Sequence, residues 1–180
     1  MTQTIELLTD YIPKPGECYE ISPGILWIRM PLPFRLNHIN LWLIEEVDGW
    51  VLIDSGINDD STKACWEQIF NNVLKGKPIT RLICTHAHPD HIGLGGWIQE
   101  KYRTKLLITR EEWLFGRMVA AGNMKGGKSY YDYLLRIGCK QSEIKDYEAH
   151  IATADQLYYD VPFQFERLRD GSEVKIAGKT

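Results

Sequence analysis

Long apolar runs are missing from this sequence. No segment approaches the roughly 20 consecutive apolar residues that cross a bilayer, so no membrane-spanning helix is expected. An excess of one charge is missing too. The 21 lysines and arginines face 24 acidic residues, spread along the chain, so the balance points away from a nucleic-acid partner. The densest basic stretch, Lys101 to Arg110, is broken by Tyr102 and by Leu106 to Ile108, and reads as a helix end followed by a strand. Cysteine is sparse. Cys18, Cys65, Cys84 and Cys139 never form a C-x-x-C pair, which argues against a zinc ribbon or a disulfide scaffold and fits a reduced compartment. The start, MTQTIELLTDYIPKPGECYE, has no basic stretch ahead of an apolar core, so a signal peptide is not expected and a cytoplasmic location is. Internal repeats and low-complexity linkers are also lacking. What remains, 180 residues of which 44% are hydrophobic, describes one ordinary globular domain with a sizeable core.

The first third reads as β structure. Ile25 to Met30 is a short apolar run ended by Pro31-Leu-Pro33. His38 to Glu45 and Trp50 to Ile53 then flank Glu46-Val-Asp48-Gly49, where Asp-Gly signals a hairpin. Asn58 to Asp60 offer N-caps for a helix running to about Lys75, with Gly76 as its stop. A strand over Arg81 to Cys84, a helix over Trp97 to Tyr102 and a strand over Lys105 to Ile108 complete an alternating α/β pattern. Thr109-Arg-Glu-Glu112 forms a capping box, and helical segments follow through Leu135 and from Ser142 to about Ala152. This helical insert, about 109–152, is dense in aromatics. They pack on the core or form a lid over a pocket. The tail returns to β as a hairpin, Phe163 to Leu168 and Glu173 to Ile176, around Asp170-Gly171.

Between strand and helix lies THAHPDHIGLGG, residues 85–96. Three of the five histidines fall within six residues here, as H-x-H-x-D-H. In an extended segment residues two apart point the same way, so His86 and His88 can grip one metal ion. Asp90 and His91, beyond the turn at Pro89, point elsewhere and can serve a second. Three imidazoles and a carboxylate suit zinc, with iron or manganese as alternatives. Two ions a few ångströms apart can polarise a bond and activate the water that attacks it. Gly93, Gly95 and Gly96 carry no side chain to obstruct a substrate above them. The tripeptide His88-Pro89-Asp90 also occurs in J-domain co-chaperones, but those are helical hairpins, and here it follows a strand and precedes glycines.

THAHPDHIGLGG after RLIC, with LWLIEEVDGWVLIDSGI upstream, resembles the metallo-β-lactamase superfamily over roughly Ile25 to Ile108. The resemblance implies an αββα sandwich with a binuclear metal site at the sheet edges. It assigns His86 and His88 to the first ion and Asp90 and His91 to the second. Asp54 matches an aspartate that supports the histidine loop from behind, and Asp90 would also orient, and deprotonate, the attacking water. The cytoplasmic start and the helical stretch after Thr109 favour ester and thioester hydrolases resembling glyoxalase II over true β-lactamases. The reaction implied is water attack on an ester, thioester or amide of a small-molecule substrate.

The resemblance also implies ligands further along: another histidine, a bridging aspartate and a last histidine. After His91 the only histidine is His150, in an expected helix, while His38 precedes the motif in a strand. Neither is expected to be a ligand. Residues 1–180 therefore read as one incomplete domain, the N-terminal part of the fold. Weak or partial metal binding, little hydrolase activity and self-association through an exposed sheet edge are expected. Two other readings compete. The chain could be a non-catalytic binding or dimerisation module. Gly122 to Ser129 also satisfies G-x-x-x-x-G-K-[ST], a phosphate-binding loop, but such a loop needs a buried strand before it, and Glu111 to Ala121 reads as helix.

Overall fold

Seven strands form one sheet in sequence order: β1 (Cys18–Ser22), β2 (Ile25–Pro31), β3 (His38–Glu45), β4 (Trp50–Ile53), β5 (Ile79–Ile83), β6 (Lys105–Thr109) and β7 (Glu166–Leu168). The computed structural model describes residues 9–124 and 126–179. The start of the segment from which the lack of a signal peptide is read, and Lys125 of the phosphate-loop motif, lie outside the described residues. β1 to β4 pair antiparallel through short turns, and β4 to β7 pair parallel. Parallel neighbours require crossovers. α1 (Asp60–Asn72) joins β4 to β5, and α2 (Pro89–Ile92) with α3 (Gly95–Tyr102) joins β5 to β6. The insert, α4 (Arg110–Ala120), α5 (Gly127–Arg136), α6 (Gln141–Ile151) and a 3-10 turn (Ala154–Leu157), joins β6 to β7. Among the described residues no helix is long and apolar enough to cross a membrane.

Register places Leu26, Leu43, Leu52, Leu82 and Leu106 opposite one another in a row across five strands. All five are buried, in one core with Trp66, Ile69 and Phe70 of α1 and Ile98 of α3. Each such side chain contributes about 1.5–3 kcal/mol on leaving water. A one-residue slip of β4 would turn Leu52 out of this core, so the leucine row fixes the register. The adjacent row on the other face, Trp27, Trp42, Ile53 and Ile83, is half-buried and ends at buried Leu107 of β6.

Two expectations fail here. Only Glu166–Leu168 of the expected tail hairpin is strand, and it pairs parallel with β6. The turn at Asp170-Gly171 forms, but the residues after it do not return along β7. They are drawn away by Arg81, whose Nη2 donates to Lys175 O (3.0 Å), and by Glu46, whose Oε1 accepts the Ala177 N–H (3.2 Å). The glycines after the histidines, moreover, do not clear space for a substrate. A Cβ on Gly93 would strike three backbone oxygens, those of Pro89, Leu157 and Gly56, and one on Gly96 would meet Asp160 O at 2.5 Å. Gly95 lies against Ile92, Leu82 and Pro162. These positions are small because backbone from three segments converges on them.

Gly93→Ala should therefore destabilise the fold by about 1–3 kcal/mol or more, the range for overpacking a site that cannot yield. Urea denaturation of the variant against wild type measures it, and an unchanged midpoint would contradict the close packing.

Candidate metal centre

β4 and β5 are parallel and end side by side, so the residues leaving them meet at one edge of the sheet. The ladder continues one step past Ile53, where the Asp54 N–H donates to Ile83 O (3.0 Å). Asp54 then turns left-handed, with φ 59°, a conformation aspartate tolerates better than most residues. The turn aims its carboxylate, 5% exposed, at the loop leaving β5. Oδ1 accepts the Thr85 N–H (2.8 Å), and Oδ2 accepts from Thr85 Oγ1 (2.8 Å) and from His91 Nδ1 (2.8 Å). Ser55 grips the same loop: its N–H and Oγ both donate to His91 O (2.6 and 2.9 Å). Trp66 Nε1 donates in turn to Ser55 O (2.7 Å), tying the turn to the core.

Counting hydrogens assigns the imidazoles. Thr85 has one hydroxyl proton, and Asp54 Oδ2 takes it. The Thr85 oxygen, 3.0 Å from His86 Nδ1, therefore accepts from His86. Asp54 Oδ2 likewise accepts from His91 Nδ1–H. Both rings thus donate from Nδ1, the arrangement that orients a metal-ligating histidine through its Nε2. Burial, reinforced by His91 and His88, holds the His86 pKa below its ordinary value, which keeps that ring neutral.

Pro89 opens α2 at a position where its missing N–H does no harm, and His88 precedes it with extended backbone. The single turn of α2 carries His91 N back to His88 O (2.9 Å). His91, expected to point elsewhere, is therefore not turned away from the other two histidines; the two candidate ligand pairs lie side by side. Its ring centroid lies 3.8 Å from that of His86, which lies 4.6 Å from that of His88. His91 Nε2 faces Asp90 Oδ2 at 3.6 Å. The donor set is right in kind for a divalent ion. Among the described residues, however, no three His, Cys, Asp or Glu side chains are disposed as a closed metal-binding group. His38 opens β3, with Nδ1 against Arg29 and Asn37, and His150 is exposed near the end of α6. Neither hydrogen-bonds to or stacks on the loop.

Sequence reasoning passed over Thr85 and Ser55. It also misassigned Glu112. Thr109 does cap α4, accepting the Glu112 N–H (3.3 Å), but the Glu112 side chain does not return to complete a capping box. Its Oε2 accepts the Ala87 N–H instead (2.7 Å). Tyr158 gave no sequence signal, yet its hydroxyl donates to Ala87 O (2.8 Å). Burial, with Asp90 and Cys84 nearby, pushes that hydroxyl far above the usual tyrosine range, so it stays a donor. Buried Cys84 adds a weaker bond from Sγ to His86 O (3.1 Å).

The insert's aromatics enclose a cavity of about 480 Å³ between α5 and α6, walled by Tyr130, Tyr131, Leu134, Ile144 and Tyr147 and reaching Asp155 of the 3-10 turn. Gly122, Gly126 and Gly127 of the phosphate-loop motif also line it. That motif connects helix to helix, so it lacks the strand-to-helix geometry that cradles phosphate.

Comparison with known proteins identifies the family. The family described as the metallo-beta-lactamase superfamily matches residues 35–167. The chain belongs to that superfamily. Within it, the chain is similar in structure to a beta-lactamase domain protein from Burkholderia ambifaria, with a TM-score of 0.77 and 38% identity over 94% of this chain and 48% of that one. A metallo-beta-lactamase family protein from Thermus thermophilus shares the fold at TM-score 0.67 and 21% identity, covering 88% of this chain and 50% of that one. Among curated proteins, the Bacillus subtilis (strain 168) protein named "Probable metallo-hydrolase YqjP" is 34% identical over 41% of this chain and 23% of its own length. The chain thus spans about half the length of the solved superfamily members and a quarter of that curated relative.

The tautomers are directly observable. Long-range proton–nitrogen spectra at neutral pH should show His86 and His91 as Nδ1–H. Thr85→Val should release His86 while leaving His91 held by Asp54. An Nε2–H form of either ring in the wild type would contradict the network.

Proposed function

We propose that the loop His86–His91 holds divalent metal ions, zinc foremost with iron or manganese as alternatives, in a hydrolase acting on an ester, thioester or amide. The superfamily supplies the reaction class. The observation that carries the reading is the pair of imidazoles, His86 and His91, each fixed through Nδ1 so that Nε2 is the nitrogen left for a ligand, and Asp90 facing the second of them at 3.6 Å.

When bound, such ions lower the pKa of water and polarise a carbonyl oxygen. This chain's residues prepare that chemistry. Asp54 retains the proton on His91 Nδ1 and so keeps Nε2 a ligand. Thr85 does the same for His86. His88, exposed beside His86, is the third imidazole and marks the side open to a substrate. Asp90, half-buried, is the one loop carboxylate with capacity left to orient water and accept its proton at an oxygen. His86 and His88 serve one ion, and Asp90 and His91 a second. Four ligands do not fill two tetrahedral sites, so the reading requires ligands that His38 and His150 do not supply.

Elemental analysis and zinc calorimetry on the 180-residue chain, its mass verified, test this. We expect uptake below two ions per chain, weakened at least about tenfold by His86→Ala or Asp90→Ala. Uptake indifferent to both substitutions would sink the ligand assignment. Two ions per chain with full turnover would show instead that these residues suffice. Aryl esters, thioesters and amides, offered in turn, separate the substrate classes.

A further inference from the structure

Ala87 separates His86 from His88, and both of its backbone groups are held by side chains of the insert. Its N–H belongs to the peptide joining it to His86, and Glu112 Oε2 accepts that N–H at 2.7 Å. Its C=O belongs to the peptide joining it to His88, and Tyr158 Oη donates to that oxygen at 2.8 Å. Fixing both peptide planes sets φ and ψ of Ala87, which decide how far apart the two histidine Cα atoms stand, and restrains ψ of His86 and φ of His88, which turn their side chains relative to those planes.

The surroundings leave little play. Ala87 is fully buried and Tyr158 is 6% exposed. A Cβ on Gly116 of α4 would sit 3.4 Å from the Ala87 Cβ, so the helix lies directly against the loop. Glu112 occupies the helix position from which a glutamate ordinarily bonds its own N-cap. Its carboxylate is committed outside the helix instead, to an amide 25 positions earlier in the chain.

We propose that Glu112 and Tyr158 are positioning residues for the metal centre, holding the two peptide planes between His86 and His88 so that the insert sets the geometry of the metal-binding pair. This rests on the metal reading given above. A brace that served only folding would stabilise the loop without affecting what the histidines bind or how.

Cobalt(II) added to the 180-residue chain is the probe, because its visible absorption reports coordination geometry as well as affinity. Tyr158→Phe keeps the buried ring and removes only the donor. It should weaken cobalt binding about tenfold and change the absorption bands, with the far-ultraviolet circular dichroism unaltered. Glu112→Ala should do the same, and Glu112→Gln, whose amide oxygen can still accept from Ala87, should recover most of the loss. Variants that melt earlier but bind cobalt with wild-type affinity and spectrum would overturn the proposal and leave a structural brace. If the wild-type chain takes up neither cobalt nor zinc, the metal reading fails on its own account. The positioning is then read in the metal-free protein, where the ring resonances of His86 and His88 should move in Tyr158→Phe, and unmoved rings would overturn it.

Discussion

The carboxylate of Asp54 is the constraint on which the candidate centre depends. Burying an ion costs several kcal/mol unless donors surround it, and all the donors that hydrogen-bond to it come from the loop that it organises: the Thr85 amide, the Thr85 hydroxyl and His91 Nδ1–H. The loop and the carboxylate therefore stabilise each other, and neither arrangement is affordable alone. Their meeting depends on the core. Leu52 opposite Leu82 sets β4 against β5 so that both strands end level, which puts Asp54 one ladder step from Thr85. Trp66, fully buried in α1, reaches from that core to Ser55 O and holds the turn from behind. Hydrophobic register is thus converted into the placement of a proton.

How much of this could be read from residues alone follows from the range of the forces involved. β3 and β4 were legible to the residue because alternation and an Asp-Gly turn are local. The histidine loop was legible because no ordinary surface gathers such residues so densely. Long-range effects were not. Glycine shows that a side chain is absent without showing what occupies its place, so Gly93 and Gly96 read as clearance when they are contacts. Thr109-x-x-Glu112 read as a closed capping box because nothing local reveals a better acceptor site for Glu112 at Ala87. Tyr158, 71 positions from the carbonyl it binds, carried no pattern at all. The tail hairpin failed because Arg81 and Glu46 compete for backbone groups that a returning strand would have used.

The sheet is covered unequally. One face carries the leucine row beneath α1 and α3, and the other keeps Trp27, Trp42, Ile53 and Ile83 half in water. Val51 and Leu107 of that face are buried, but two half-buried tryptophans still represent much apolar area, and domains bury such faces against another element. The superfamily resemblance implies a sandwich, and the single sheet described here is the layer that carries the histidine loop. The loop's own hydrogen bonds come from β4, β5, α4 and the segment after the 3-10 turn, none of which requires cover on the open face.

The insert itself divides into two parts of different mechanical character. Its base, α4 and the segment ending at Tyr158, is tied to Ala87 by two short hydrogen bonds and to the tail by Trp113 Nε1 donating to Pro162 O (2.8 Å). Its tip is not tied in this way. α5 has no buried residue, and α6 buries only Ile144. The aromatic cavity lies in the tip, between helices held chiefly by each other. Segments with so few buried contacts open more readily than those tied into the core. A binding surface built on the tip can therefore change shape, or change sequence, while the peptide planes between His86 and His88 stay fixed. The fold separates a loosely held tip of the insert from a base fixed against the histidine loop.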